Sequence, residues 1–238
     1  MPESEASFSD RAQKARDLHA ACAGLNPVYT APPQGVTLAA LDLKIIACET
    51  LNNAVVGDGS IWSDAAQQRV STAATIKTTT TQLLSYIKSS TGWKSKYPAA
   101  KRFGDAIRGI KHPRKTAAPP APGATPAKKR SRGGQSYAEL ETNWRGLVNL
   151  AIGLAGFAPT DLKIQTGTVS GLLSTLKGLN GQISGLEAKL SEAQMDRQKA
   201  FYQEESGLED MFQAVKTTVK GQYGATSSQC AQVKSLTW

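Results

Sequence analysis

The chain has 238 residues, of which 40% are hydrophobic and 6% aromatic, and it carries a formal net charge of +9. Its nearest approach to a long apolar run is "LVNLAIGLAGFA" at 147–158. This run is shorter than the ~18–20 residues that a membrane span needs, so the sequence predicts a buried helix and no transmembrane segment. The length allows one large domain or two small ones.

The cysteine content indicates a reducing compartment. Cys22, Cys48 and Cys230 are widely spaced, odd in number and without a CxxC pair, which argues against a disulfide framework and a zinc site. The first residues, "MPESEASFSD", show no basic stretch followed by an apolar one, so no secretory signal is predicted. We therefore expect a cytoplasmic protein.

Apolar residues recur every three to four positions near the start of the chain, which predicts a helix. This helix is expected to begin at the cap-type residues Ser7 and Ser9 and to stop at Gly24 and Asn26–Pro27. Its core-facing side chains are predicted to be Phe8, Ala12, Ala15, Leu18, Cys22 and Leu25.

Two further helices are predicted before the middle of the chain. Thr37 is placed to cap one that continues to about Val55, and "GDGS" at 57–60 is expected to break the chain. The next is expected from about Ile61 to Ser90. It has a weak point at "TIKTTTTQ", because the branched side chain of threonine loses rotamer freedom in a helix.

The second half of the chain predicts a similar set of helices. Ser136 and Glu139 have the spacing of a capping box. A long apolar pattern covers 169–193 and contains four glycines, which either permit close helix packing or are merely tolerated. Another helical stretch is expected to end near 221–224 and to carry Phe201, Leu208, Met211, Phe212, Val215 and Val219. No segment shows the alternation of a strand, so we predict an all-α fold.

The two halves of the chain resemble each other, which predicts an internal duplication. The leading helices align at an offset of 129, where Phe8 meets Tyr137, and Asn52–Asn53 and Asn180 fall in comparable places. The closing segments align without gaps at an offset of 132. Their matched pairs are Ile87/Val219, Lys88/Lys220, Gly92/Gly224, Ser95/Ser227 and Ala99/Ala231.

The closing motif of the second half, "VKTTVKGQYGATSSQCAQVKSLTW", resembles the C-terminal ends of a group of uncharacterised helical proteins from Bacteroidota. The resemblance is best over 168–238 and weaker in the first half, where "YPAAKRFGDAI" departs from it by adding Pro98 and more charge. It implies a helical-bundle fold and a bacterial origin, and it implies no activity.

Few side chains have the grouping that catalysis or metal binding requires. His19 lies three residues before Cys22, but a metal site needs three or four ligands, so we expect a structural histidine. The acidic pairs 204–205 and 209–210 diverge around a helix and are expected to be solvated. "GLLSTLKGLNGQISG" lacks the GxGxxG spacing of a phosphate-binding turn. We predict that the protein is not an enzyme and has no cofactor.

The positive charge is concentrated in one region. Thirteen Lys and Arg and a single acid, Asp105, lie between Lys88 and Arg132, whereas the remaining residues carry fifteen basic and eighteen acidic groups. Within this region "TAAPPAPGATPA" is too rich in Pro and Ala to form a packed core, so a disordered linker is predicted over 108–135. Its composition is similar to the tails of linker histones and of some bacterial nucleoid proteins.

The basic clusters fit two roles, a solvated tether or a surface for a polyanion, because Lys and Arg near phosphates release condensed counterions. An acidic protein and a membrane surface are further options for a partner. Trp93, Tyr97 and Phe103 lie among the charges and are expected to pack on the bundle, although such rings can also stack on bases. The candidate nucleic-acid-binding residues are Lys94, Lys96, Lys101, Arg102, Arg108, Lys111, Arg114, Lys115, Lys128, Lys129, Arg130 and Arg132.

The sequence thus predicts two related α-helical modules of about three to four helices each, over 1–107 and 136–238, with the basic linker between them. The predicted function is that of a non-enzymatic binding or architectural protein that contacts DNA or RNA non-specifically through the linker. The alternative is a structural or scaffolding protein that acts through protein–protein contacts or self-association, with the linker only a tether.

Overall fold

The structure is a computed structural model that describes residues 5–110 and 136–238. Within these ranges the regular secondary structure is helical and contains no strand, which confirms the predicted all-α fold. Most of the predicted linker, from residue 111 onward, lies outside the described residues. The α-helices are α1 (Glu5–Ala23), α2 (Leu38–Ser89), α3 (Tyr97–Ile107), α4 (Tyr137–Ile152), α5 (Thr166–Tyr202), α6 (Leu208–Tyr223) and α7 (Ser228–Lys234).

Two helices begin as the sequence predicts. The Thr37 hydroxyl accepts a hydrogen bond from the Ala40 backbone N–H at 3.1 Å and so caps α2. At α4 the Ser136 hydroxyl accepts from Glu139 N–H at 3.2 Å, while the Glu139 carboxylate accepts from Ser136 N–H at 3.3 Å. This reciprocal pair is the capping box that the sequence predicts.

The predicted break at 57–60 is wrong, because α2 continues through it as one helix of 52 residues. Gly57 and Gly59 cost about 1 kcal/mol each in helix propensity relative to alanine. Burial of Val55 and Ala65 on either side of them offsets that cost. The threonine-rich stretch is helical too: the hydroxyl of Thr80 donates to the Ile76 carbonyl at 2.7 Å and is thereby satisfied inside the core.

The second half contains a break that the sequence pattern misplaces. Phe201 belongs to the end of α5 and does not share a helix with Leu208 as predicted, because the chain turns at 203–207 before α6. Glu205 has a φ of +66°, and Gly207 lies so close to Gln203 that a Cβ there would meet its backbone at 2.7 Å. The turn therefore depends on glycine at 207. The glycines at 171, 178, 181 and 185 have open space around them, so no close packing among the described residues explains them.

The chain divides into two compact units. Unit 1 comprises Met1–Ser63 and Gly185–Trp238, and unit 2 comprises Asp64–Ser184. Each unit therefore takes residues from both halves of the chain, so this division differs from that into the predicted modules. The boundaries of those modules stay a prediction. Helices α2 and α5 contribute residues to both units.

The core of unit 1 forms between α1, the start of α2, the end of α5, and α6. The predicted apolar face of α1 is buried along its whole length, from Phe8 to Leu25. On the surface of the same unit the Arg16 guanidinium donates hydrogen bonds to the Glu49 carboxylate and ties α1 to α2. That hydrogen bond lowers the pKa of Glu49 and raises the pKa of Arg16.

The core of unit 2 forms between the end of α2, α3, α4 and the start of α5. Trp144 is fully buried at its centre, together with Ile76, Leu83 and Ile87 of α2. Gly104 of α3 lies against Leu84 and Thr80 of α2, where an added Cβ would meet the Leu84 side chain at 2.4 Å. Only glycine allows the two helices to approach this closely.

We expect Glu49→Gln to lower the free energy of unfolding by about 0.5–1 kcal/mol at pH 7, because both partners are partly exposed and solvent screens their attraction. The folded-state pKa of Glu49 lies below its unfolded value, so its contribution is present above that unfolded value and is lost as the pH falls through the folded pKa. Urea unfolding at several pH values should therefore show the two proteins converging below about pH 4. Glu192→Gln, an exposed control, should leave stability unchanged, and an equal loss there would contradict the assignment.

Candidate nucleic-acid interface

The described part of the basic region, residues 88–110, runs from the end of α2 through a 3₁₀ turn (Thr91–Trp93) and helix α3 of unit 2. Pro98 lies in the first turn of α3, where its missing N–H costs nothing. Ala100, Gly104 and Ile107 form the buried face of α3, packed on α2 and α4. The basic residues Lys101 and Arg102 are exposed on the other side of α3, whereas Asp105 is buried with the apolar face.

Asp105 is the only acid in the basic region, and its side chain is almost completely buried, with 1% exposed. Lys101 Nζ and Arg108 Nη2 both form ion pairs with its carboxylate, the latter at 2.7 Å. Two of the five candidate cations described by the structure thus neutralise an internal charge. They stabilise α3 and are less available to a ligand.

Lys94, Lys96 and Arg102 differ from this pair because they are exposed and enter no ion pair with the described residues. Lys77 of α2 is also exposed, and it lines an open depression together with Arg108, Thr78 and neighbouring residues of α2. Exposed cations of this kind can attract phosphate groups.

Helix α3 ends in a glycine turn at Gly109. Gly109, with a φ of +71°, donates its N–H to the Ala106 carbonyl at 3.2 Å, and Ile110 N–H donates to the Asp105 carbonyl at 2.8 Å. This pair of bonds is a Schellman motif, which a residue in the left-handed conformation such as glycine completes. The candidates Lys111, Arg114, Lys115, Lys128, Lys129, Arg130 and Arg132 follow this point and lie outside the described residues.

The aromatic residues among the charges pack on unit 2, as expected. Trp93 Nε1–H donates to the Ala155 carbonyl at 3.1 Å, and its ring centroid lies 5.7 Å from that of Tyr86. Tyr97 and Phe103 are half-buried against the same core, and the Phe103 ring lies directly over Gly146. The three rings are thus engaged in packing on unit 2, which makes phosphate contact more suitable than base stacking for this surface.

The histidine, cysteines and acidic pairs that the structure describes do not come together in one site. His19 is half-buried, and no group of three or more metal-ligating side chains occurs within the ranges 5–110 and 136–238. The three cysteines are free and buried, and desolvation raises the pKa values of Cys22 and Cys48 to about 11, so their thiols are poor nucleophiles at neutral pH. At the acidic pairs, the Glu205 N–H donates to the Asp210 carboxylate at 2.6 Å, a contact that shapes the turn between α5 and α6.

Comparison of the chain with known protein families, with curated proteins and with solved structures finds no match. The resemblance to helical proteins of Bacteroidota thus stays a prediction. None of the helices that the structure describes combines the length and the apolar character needed to cross a bilayer.

Sequence reasoning missed Lys77, which lies outside the basic region between 88 and 132. Its proximity to Arg108 results from the packing of α3 on α2, which Gly104 permits. In the sequence, Gly104 stands within an otherwise helical, amphipathic stretch, and such a glycine can indicate close packing.

We expect Asp105→Asn to lower the free energy of unfolding by about 1–3 kcal/mol, because Lys101 and Arg108 would lose the charge that they neutralise. Urea denaturation at moderate salt measures this change. Asp196→Asn is a suitable control, since that carboxylate is exposed and lies 3.9 Å from Lys199. A loss at Asp105 no larger than the control's would contradict the role assigned to this buried ion-pair group.

Proposed function

We propose that the protein is a non-enzymatic binding protein that contacts nucleic acid through its basic region, residues 88–132. The observation that carries this proposal is the segregation of charge: thirteen cations and one acid lie in this region, and that acid is buried between Lys101 and Arg108. The rest of the chain carries a net charge of −3. A phosphate backbone would therefore meet positive charge at this region and a mildly acidic surface elsewhere.

The mechanism follows from counterion release. Each Lys or Arg that approaches a phosphate displaces condensed cations from the nucleic acid, and the entropy gained favours binding. Such contacts attract the backbone and do not distinguish base sequence. The rings of Trp93, Tyr97 and Phe103 support this non-specific mode, because they are partly buried against the core and so less available to an unstacked base.

The proposed setting is the cytoplasm of a bacterium. Three free, buried cysteines are consistent with a reducing compartment. The bacterial origin is supported by the resemblance of the closing motif and by no other observation.

The test of this function is a binding titration with a fluorescent DNA or RNA duplex of arbitrary sequence at two salt concentrations. We expect log Kd to rise linearly with log salt, with little sequence preference. Neutralising Lys94, Lys96 and Arg102 together with Gln should weaken binding and reduce the salt slope by up to about 3, since each phosphate contact contributes about 0.9. Deletion of 108–132 should weaken binding further.

The matched control neutralises three exposed lysines outside the basic region, Lys163, Lys177 and Lys234. Both triple variants change the net charge equally, so a simple net-charge effect would weaken binding equally in both. Binding that is absent, insensitive to salt, or reduced equally by the two variants would contradict the proposed interface.

We also infer that the two halves of the chain arose by duplication. Unit 1 contains an aromatic–Asn–Arg cluster: the Arg197 guanidinium lies 4.0 Å from the Phe8 ring centroid, and its Nη1 donates to the Asn52 side chain at 3.0 Å. In unit 2 the Arg69 guanidinium lies 4.1 Å from the Tyr137 ring centroid, and Asn180 Nδ2 donates to the Tyr137 carbonyl at 3.4 Å.

The members of the two clusters are separated by nearly constant distances along the sequence. Phe8 and Tyr137 are 129 residues apart, and the two asparagines and the two arginines are each 128 residues apart. Each half thus supplies its arginine to the unit that holds the other half's aromatic residue.

Buried positions recur in the same way, 128 residues apart in Leu41/Val169, Cys48/Leu176 and Val55/Ile183, and 132 apart in Ile76/Leu208, Leu83/Val215 and Ile87/Val219. The change of offset by four falls at the turn at 203–207, which interrupts α5 and α6 but has no counterpart in α2.

If the clusters are equivalent, Arg69→Met and Arg197→Met should each lower the free energy of unfolding by about 1–2 kcal/mol, because each removes a cation from an aromatic face. Arg145→Met, which removes an exposed ion pair within α4, should cost less than about 0.5 kcal/mol. Chemical denaturation compares the three variants. A loss confined to one of the two clusters would count against their equivalence.

A further inference from the structure

The outward face of α2 in unit 1 is unusual because it carries no charge. Leu41, Ile45, Cys48 and Val55 bury one side of this stretch in the core. A surface helix normally presents charged and polar residues on the opposite side. Here the exposed positions between 43 and 63 are Leu43, Ile46, Ala47, Thr50, Asn53, Ala54, Val56, Gly57, Ser60, Ile61 and Ser63.

The charged residues of this stretch lie at the flanks and are largely neutralised within unit 1. Glu49 pairs with Arg16, and Lys189 forms an ion pair with Asp58 at 2.8 Å. The Thr50 hydroxyl donates to the Ile46 carbonyl at 2.8 Å, which satisfies its donor within the helix. No described atom lies within 4 Å of where a Cβ of Gly57 would be, so the face is open there. Leu43 and Ile61 are 69% and 50% exposed.

Along the centre of this face runs a neutral stripe, defined by Leu43, Ala47, Thr50, Ala54, Gly57 and Ile61. Its steps alternate between four and three residues, which is the spacing of a coiled-coil seam. The side-chain sizes are symmetric about residue 52: a large residue stands at each end, and four small ones lie between. When two copies of such a stripe pair antiparallel, Leu43 lies opposite Ile61, Ala47 opposite Gly57, and Thr50 opposite Ala54.

We propose that the neutral stripe pairs two copies of this chain through an antiparallel contact of α2. The pairing satisfies two requirements at once. Small residues in the middle let the helix axes approach, and the large residues close both ends of the seam. No charge is brought opposite a like charge along the stripe, so no charge repulsion opposes the contact.

Other occupants fit the stripe less well. An amphipathic helix that binds an anionic membrane carries several Lys and Arg along its polar border, whereas the charged residues flanking this stripe are one lysine, Lys44, and two acids, Glu49 and Asp58, which are paired within the unit. Residues 111–135 are rich in Lys, Arg and Pro, a composition unsuited to an uncharged helical seam. A second copy presents the same neutral, size-symmetric surface.

The length of the stripe sets the strength of the contact. The 19 residues from Leu43 to Ile61 rise by about 27 Å along the helix. A face ~10–15 Å wide on each of two copies then gives roughly 500–800 Å² of total buried surface. Stable dimers bury about 1,200 Å² or more, so we expect a transient dimer with a Kd in the range of about 10–500 µM. This inference does not rest on nucleic-acid binding, and either can fail without the other.

The test is sedimentation equilibrium of the full chain, purified free of nucleic acid, from low to high micromolar concentration. We expect a reversible monomer–dimer equilibrium. Leu43→Glu and Ile61→Lys should each weaken dimerisation at least about tenfold, because each places an unpaired charge in an apolar seam. Both side chains are exposed in the monomer, so both variants should keep the helical circular dichroism and the unfolding midpoint of the parent.

The double variant Leu43→Glu/Ile61→Lys tests the direction of pairing. In the antiparallel contact the glutamate introduced at position 43 of each copy faces the lysine introduced at position 61 of the other copy. Dimerisation should therefore recover relative to either single variant at moderate salt. A parallel contact would place like charges together and give no recovery. Leu162→Glu changes an equally exposed leucine in unit 2 and should leave dimerisation unchanged.

Three outcomes would overturn the proposal: a monomer at every concentration, a dimer unaffected by Leu43→Glu, or a double variant that dissociates as much as the single ones. A stripe that instead binds phosphatidylcholine vesicles, with binding abolished by Leu43→Glu and no dimer formed, would assign the face to a lipid surface and also overturn it.

Discussion

The structure depends on the burial of helix α2, whose inner side chains contribute to both cores. Leu41 and Ile45 are buried in unit 1, whereas Ile76, Leu83 and Ile87 are buried in unit 2. Burial in both cores explains why α2 runs unbroken through Gly57 and Gly59. A break between the two sets would release α2 from one of its partners, and the burial on either side outweighs the propensity cost of two glycines. Helix α5 likewise contributes to both cores, through Val169 and Leu176 in unit 2 and Phe201 in unit 1, and the chain turns at 203–207 only after it.

Two acids are neutralised by ion pairs within the folded units, whereas three cations of the basic region stay exposed. Asp105 is buried between Lys101 and Arg108, and Glu49 is paired with Arg16. Lys94, Lys96 and Arg102 remain exposed on unit 2. The positive region is therefore a property of composition that the fold preserves, because the one acid that could offset it already has partners.

Dimerisation and nucleic-acid binding, if both occur as proposed, would strengthen each other. A basic region with few base-reading groups binds weakly at physiological salt, because its affinity comes mainly from counterion release. A dimer formed through the neutral stripe would carry two basic regions, and simultaneous engagement of one nucleic acid would raise the effective concentration of the second. A transient dimer would then form preferentially on the nucleic acid, where the local protein concentration is high. Such behaviour suits an architectural protein that coats a polyanion without reading its sequence.

The sequence by itself determined the helical class, the capping residues Thr37 and Ser136, and the buried face of α1, since these depend on local spacing and hydrogen bonding. It also located the positive charge. Tertiary structure decided what local rules could not: the continuity of α2, the placement of Arg69 over Tyr137 and of Arg197 over Phe8, and the approach of Lys77 to Arg108. Each of these depends on contacts between residues far apart in the chain, whose burial energy exceeds the local preferences that the sequence pattern reports.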